Sequence, residues 1–185
     1  FWKKMGQILG RGADTMEDSG KAVDGIRKTD YPTLERVRVI EEIDRLNGRL
    51  DDLLPANSSF IDNIQAYVDR SRRPEPFPAE ARAANWDRVK DDVGKVLELV
   101  DDVKNQLLNS TYLRARLDAA TMSSLRQLMN ERSNLLGQIR AMPAPAAPDE
   151  IHALDAFAER YRSVRERTKA LQNSLFGARN RLAAV

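Results

Sequence analysis

The chain has 185 residues, enough to bury a core without help from metals or disulfides, and it contains no cysteine. Structural disulfides, thiolate zinc sites, cysteine nucleophiles and thiol redox switching are therefore excluded together, while the compartment stays open. The formal charge of +2 conceals an asymmetry: residues 1–110 hold 18 Lys/Arg against 21 Asp/Glu, and residues 111–185 hold 12 against 7. Nucleic-acid-binding domains usually carry a stronger excess, so acidic helices facing basic ones are the preferred reading and nucleic acid is not an expected partner.

Residues 1–28 carry glycines at 6, 10, 12, 20 and 25, too closely spaced for a stable isolated helix, and read as an irregular N-terminal arm that is partly amphipathic. Phe1, Trp2, Met5, Ile8 and Leu9 share one helical face there, with Lys3 and Lys4 beside them. The sequence starts at Phe1 rather than Met, which reads as a processed or trimmed product. Aromatic and basic residues in this order resemble the anchors found at a membrane boundary, so Phe1, Trp2, Lys3 and Lys4 are candidate membrane-proximal residues. Two lysines at such an exit favour a cytoplasmic domain. No run of about 18 apolar residues exists, so no segment is expected to span a bilayer as a helix.

A first long helix is expected to open at Thr29-Asp30-Tyr31-Pro32, where proline suits the first helical position. Its seam is Val39, Ile43, Leu46, Leu50 and Leu53, and Pro55 is expected to end it. Ser58 and Ser59 then offer N-caps for a shorter helix with Phe60, Ile61, Ile64, Tyr67 and Val68 on its apolar face, so residues 29–70 read as a helical hairpin. Three prolines in residues 71–78 make the clearest boundary.

From about Pro78 the spacing predicts a long helix with Trp86, Val89, Val93, Val96, Val100, Val103 and Leu107 at alternating steps of three and four. Asn109-Ser110-Thr111 reads as a stop and restart, with a continuous helix as the alternative. The next segment carries Leu113, Leu117, Leu125, Leu128, Leu135 and Ile139, with Arg132 interrupting the spacing either as a polar seam residue, like Thr168 of the last helix, or as a side chain that reaches the surface. A second proline-rich connection covers residues 142–148, and Asp149 is the expected N-cap of a last helix with its seam at Leu154, Phe157, Tyr161, Val164, Thr168, Leu171 and Leu175. Strand-like alternation is missing throughout, so the expected fold is all-α: an elongated up-and-down bundle of about four long helices with coiled-coil-like seams. Residues 79–185 form a long three-helix coil in this reading and pack with 29–70.

The inventory argues against catalysis. Bundle di-metal sites need two Glu-x-x-His motifs, and this chain has one histidine, His152; the same count rules out a convincing Ser-His-Asp set. Gly6, Gly10 and Gly12 fit neither phosphate-loop fingerprint. The acidic stripe Asp87, Asp91, Glu98 and Asp102 matches Arg162, Arg165 and Lys169 on the last helix, so salt bridges between those two helices are expected rather than a metal or substrate site. No cofactor is expected. What remains is an interaction or scaffold protein without enzymatic activity, acting on a protein partner or on another copy of itself. Its aromatic interface candidates are Trp2, Phe60, Tyr67, Phe77 and Tyr112. The alternative is the soluble region of a membrane-attached sensor or structural protein, tethered at or before the N-terminus.

Overall fold

The computed structural model describes residues 31–184, and every regular element among them is a helix. These are α1 (Tyr31–Ser71), α2 (Ala79–Asn109), the short α3 (Thr111–Arg116), α4 (Ala119–Ala141) and α5 (Pro148–Ala183). The arm over residues 1–28, with Phe1, Trp2, Lys3 and Lys4, lies outside the described residues. The chain divides into two compact units, Phe1–Val39 and Ile40–Val185. Of the first unit, only the opening turns of α1 are described, with Leu34 and Val37 exposed there.

Within the second unit the helices run up and down in succession. Arg49 of α1 bonds to the Asp102 carbonyl while Ser59, further on, bonds to Asp92, which fixes α1 and α2 as antiparallel. Tyr161–Asn57 and Gln172–Asp51 do the same for α5 against α1, and Trp86–Met142 with Arg126–Leu107 do it for α2 against α4. Each long helix thus has two neighbours in an all-α bundle. The expected seams supply its interior: Trp86, Val89, Val93, Val96, Val100, Val103 and Leu107 are all buried, as are Leu125, Leu128, Leu135, Ile139, Leu154, Phe157, Tyr161 and Val164. Non-directional burial at alternating three- and four-residue steps is what fixes which side of each helix turns inward.

The expected break at Pro55 is absent. Pro55 lies inside a continuous 41-residue α1, so residues 31–71 are one helix and not a hairpin. Proline in a helix interior removes one backbone hydrogen bond and costs about 3 kcal/mol relative to alanine. Here Leu53, Phe60, Ile61 and Ile64 on either side are buried and outweigh that local penalty, while Pro55 itself is exposed.

The restart at Ser110 is present: its backbone is extended, and its hydroxyl accepts from Leu113 N at 3.2 Å to cap α3. A second break follows at Leu117-Asp118, where Asp118 accepts from Thr121 N at 2.8 Å and opens α4. Those bonds hold the Asp118 carboxyl below its usual range, the Thr121 hydroxyl contributing most. The cap of α5 also differs from expectation: Ala147, not Asp149, precedes the helix, and Glu150 reaches back to accept from Ala146 N and Ala147 N at 2.8 and 2.9 Å. Backbone donors lower the Glu150 carboxyl accordingly.

At one end of the bundle the two proline-rich connections are tied to aromatic side chains. Tyr67 packs between Phe77 and Trp86, with ring centroids 5.7 and 5.1 Å away, and its hydroxyl donates to the Pro145 carbonyl at 2.6 Å. Trp86 Nε1 donates to the Met142 carbonyl at 2.9 Å. Burial pushes the Tyr67 phenol up to about 12, with Arg82 opposing. Because the folded state holds this proton more tightly, its stabilising contribution is complete below the unfolded tyrosine value of about 10 and is lost as pH rises towards 12. Denaturant unfolding between pH about 9 and about 11.5 is expected to show falling stability, with a shallower fall in Tyr67→Phe. An unchanged slope in that variant would contradict the assignment.

Candidate interaction site

Two features of the bundle bear on what it does: a set of polar side chains inside the seams, and a groove on the outside. Buried polar residues are costly unless bonded, so each needs an account. Three of them peg α1 to its neighbours. Asp92 of α2 accepts from Ser59 and Asn63 of α1 at 3.1 and 2.6 Å. Gln106 of α2 donates to the Glu42 carbonyl and side chain at 2.9 and 3.1 Å and accepts from Arg49 at 2.9 Å. Gln172 of α5 donates to Asp51 at 2.6 Å. Bonds of this kind set the register of packed helices, because a shift by one turn breaks them all.

Arg132 is different. It is 1% exposed, so of the two positions its spacing allowed it takes the seam and not the surface. Its Nη2 donates to Thr168 Oγ1 at 2.9 Å, and its guanidinium carbon stands 5.7 Å from the centre of the Tyr161 ring. Tyr161 in turn donates to Asn57 Oδ1 at 2.6 Å, so a polar line crosses the core from α4 through α5 to α1. Burial lowers the Arg132 guanidinium from its ordinary range, and Tyr161 opposes that shift. Burial raises the Tyr161 phenol, keeping it neutral. Phe60 and Phe157 pack edge-on to each other at 6.1 Å, and Phe60 meets Tyr161 at 5.0 Å, closing the cluster on its apolar side.

On the outside, a groove of about 230 Å³ between α2 and α4 is lined by Lys104, Asn105, Leu108, Arg126 and Asn130. Leu108 is 63% exposed, one residue beyond the buried Leu107. Arg126 is held by the Leu107 carbonyl at 3.2 Å, and Lys104 lies 3.5 Å from the Ser133 hydroxyl. Lining this groove are two cations and no carboxylate. Around it, residues 104–126 carry four basic side chains against one acidic. The neighbouring cleft between α1 and α2, about 330 Å³, is self-neutralising by contrast, with Glu42 and Asp102 beside Arg45 and Arg49.

The aromatic candidates separate by position. Phe60 and Tyr67 belong to the core, so neither offers a surface to a partner in the folded bundle. Phe77 is half-buried beneath Arg70, whose guanidinium carbon is 5.0 Å from the ring centre. Tyr112 on α3 is exposed at 38%. Trp2 lies outside the described residues. The acidic stripe on α2 does not pair with the last helix: Arg162 bonds Glu159 and Gln65, Arg165 bonds Glu166, and the acid that matters on α2 is Asp92, facing α1. The reason is topological, since the neighbours that bond α5 are α1 and α4. Leu108 escaped the sequence reading because it follows a seam leucine directly, and only the neighbouring helices decide which of the two is covered.

Among the described residues no group of His, Asp or Glu side chains is arranged to hold a metal ion, and no helix is long and apolar enough to cross a membrane. Comparisons of the chain with protein-family models, with curated proteins and with solved structures find no match. The all-α bundle is therefore the class that the structure itself defines.

Proposed function

We propose that this chain works by association and not by catalysis, binding another protein, a second copy included, through the groove between α2 and α4. The observation that carries the reading is Leu108, a large aliphatic side chain left in solvent between two cations, with Tyr112 exposed four residues on. An apolar contact of that kind rimmed by Lys104 and Arg126 suits an acidic segment that presents one aliphatic or aromatic side chain. Burying a leucine contributes about 1.5–3 kcal/mol, so removing it weakens binding by about tenfold or more.

Light scattering after size exclusion, over about a hundredfold concentration range, separates the two forms of the proposal. Mass that grows with concentration and returns to monomer in Leu108→Asp is self-association through the groove. A monomer throughout directs the search to another protein, whose binding Leu108→Asp must weaken by about tenfold. Association of either kind that is indifferent to Leu108→Asp overturns the reading.

A further inference from the structure

The buried side-chain atoms that lack a hydrogen-bond partner, among the described residues, are not scattered through the core. They are Asn47 Nδ2 and Oδ1, Asn57 Nδ2, and Arg132 Nε and Nη1. Three of the five belong to α1, and the other two belong to the guanidinium whose polar line ends on Asn57. The buried side chains of α2, α4 and α5, with Asp92, Gln106, Thr168 and Gln172 among them, leave nothing unmet apart from Arg132 itself. Helix α1 thus fits its seat in shape, through Ile43, Leu46, Leu50, Phe60 and Ile64, but leaves hydrogen bonds unmade there.

The mismatch at Asn57 has a sign. Arg132 Nε, Arg132 Nη1 and Asn57 Nδ2 are all donors, and a guanidinium stays protonated in proteins. Tyr161 is a neutral phenol that gives its proton to Asn57, and its oxygen faces Arg132 only as an uncharged acceptor. Among the groups acting on Arg132, the other charge is Arg165, which is also positive. What the seat lacks is an acceptor carrying negative charge. A buried cation without one is among the costliest arrangements in a protein core.

We infer that the seat of α1 against α2 and α5, beside Arg132, is a helix-binding site whose preferred occupant is an amphipathic helix of another protein that repeats the apolar seam of α1 and its bonds to Asp92 and Gln106 but carries Asp or Glu where α1 carries Asn57. Such a carboxylate accepts from Arg132 and from the Tyr161 hydroxyl together, turning unmet donors into charge-assisted hydrogen bonds. A second copy of this chain is the wrong occupant: its α1 brings asparagine again and leaves the same donors unmet. The incoming helix displaces α1 only through this difference, because a ligand shifts an equilibrium by no more than its differential affinity. Tethering keeps α1 at an effective concentration on the order of 1 mM, so a helix about tenfold better displaces it with an apparent Kd on the order of 0.1 mM. The inference does not depend on the groove at Leu108, which lies between α2 and α4.

The test uses the full chain and two labelled peptides spanning residues 40–71, one of this sequence and one with Asn57→Asp. Each is co-refolded with the protein from denaturant, so that slow exchange does not block entry, and binding is read by fluorescence anisotropy. The Asn57→Asp peptide is expected to bind about tenfold or more tightly than the unmodified one, and the gap is expected to close in an Arg132→Met protein, which keeps the apolar seat. Equal binding of the two peptides, binding of neither, or a gap that persists in Arg132→Met overturns the proposal. So does a gap that opens only when chloride is replaced by gluconate, because a small anion would then be the counter-charge to Arg132.

Discussion

Trp86→Ala is expected to lower the stability of the bundle by about 3–5 kcal/mol, the loss typical of truncating a buried tryptophan. The residue is 1% exposed, packs at a tilt against Tyr67 with ring centroids 5.1 Å apart, and donates its indole N–H to the Met142 carbonyl. Alanine therefore opens a void where α1, α2 and the α4–α5 connection meet, and it leaves a carbonyl that must find water. For a chain of this size the melting temperature is expected to fall by roughly 6–20 °C, readable by calorimetry or circular dichroism. A change near zero would mean that this end of the bundle does not carry the fold.

Arg132→Met is expected to act in the opposite direction. Replacing buried ionic groups by apolar side chains of similar volume is neutral or stabilising by about 1–4 kcal/mol, and here the starting state is less favourable still, since no carboxylate partners the guanidinium. Methionine keeps much of the side-chain volume and adapts its shape. Thr168 loses a donor but still bonds the Val164 carbonyl at 2.8 Å, and Tyr161 keeps Asn57. Equilibrium unfolding in denaturant should show a higher midpoint with an unchanged slope. A destabilised variant would mean that the guanidinium is better satisfied than its surroundings suggest, and it would remove the physical basis for a carboxylate-bearing occupant.

The long seams were legible in the sequence because burial follows helical spacing so closely: Trp86 to Leu107 and Leu154 to Val164 occupy the core as their steps of three and four require. Proline was misread. Its local penalty is visible in the letters, while the burial of Leu53 and Phe60 that overrides it depends on helices far along the chain. The same non-local dependence hid the candidate sites. Arg132 looked like a flaw in a stripe, and its burial becomes evident only when α5 brings Tyr161 and Thr168 to it. Phe60 and Tyr67 were aromatic in a way that suits interfaces and cores alike, and the sequence holds no signal to choose between them. Pairing of the acidic stripe with Arg162 and Arg165 failed because charge spacing says which helices match in rhythm but not which ones stand side by side.

The aromatic ties at Tyr67 and Trp86 have a mechanical consequence. They fasten the connection between α1 and α2 to the connection between α4 and α5, so four helix ends are clasped together at that pole. The opposite pole carries the short α3 with its two capped breaks, with Leu108 and Tyr112 exposed there, and its ties across helices, Gln106 to Glu42 and Arg49 and Arg126 to the Leu107 carbonyl, are polar bonds without an aromatic clasp. Thermal opening is therefore expected to work like a pair of tongs, pivoting where the prolines are held and splaying where α2 hands over to α4. Amide protons near Ser110 are expected to exchange before those near Trp86, and limited proteolysis is expected to cut first near Ser110.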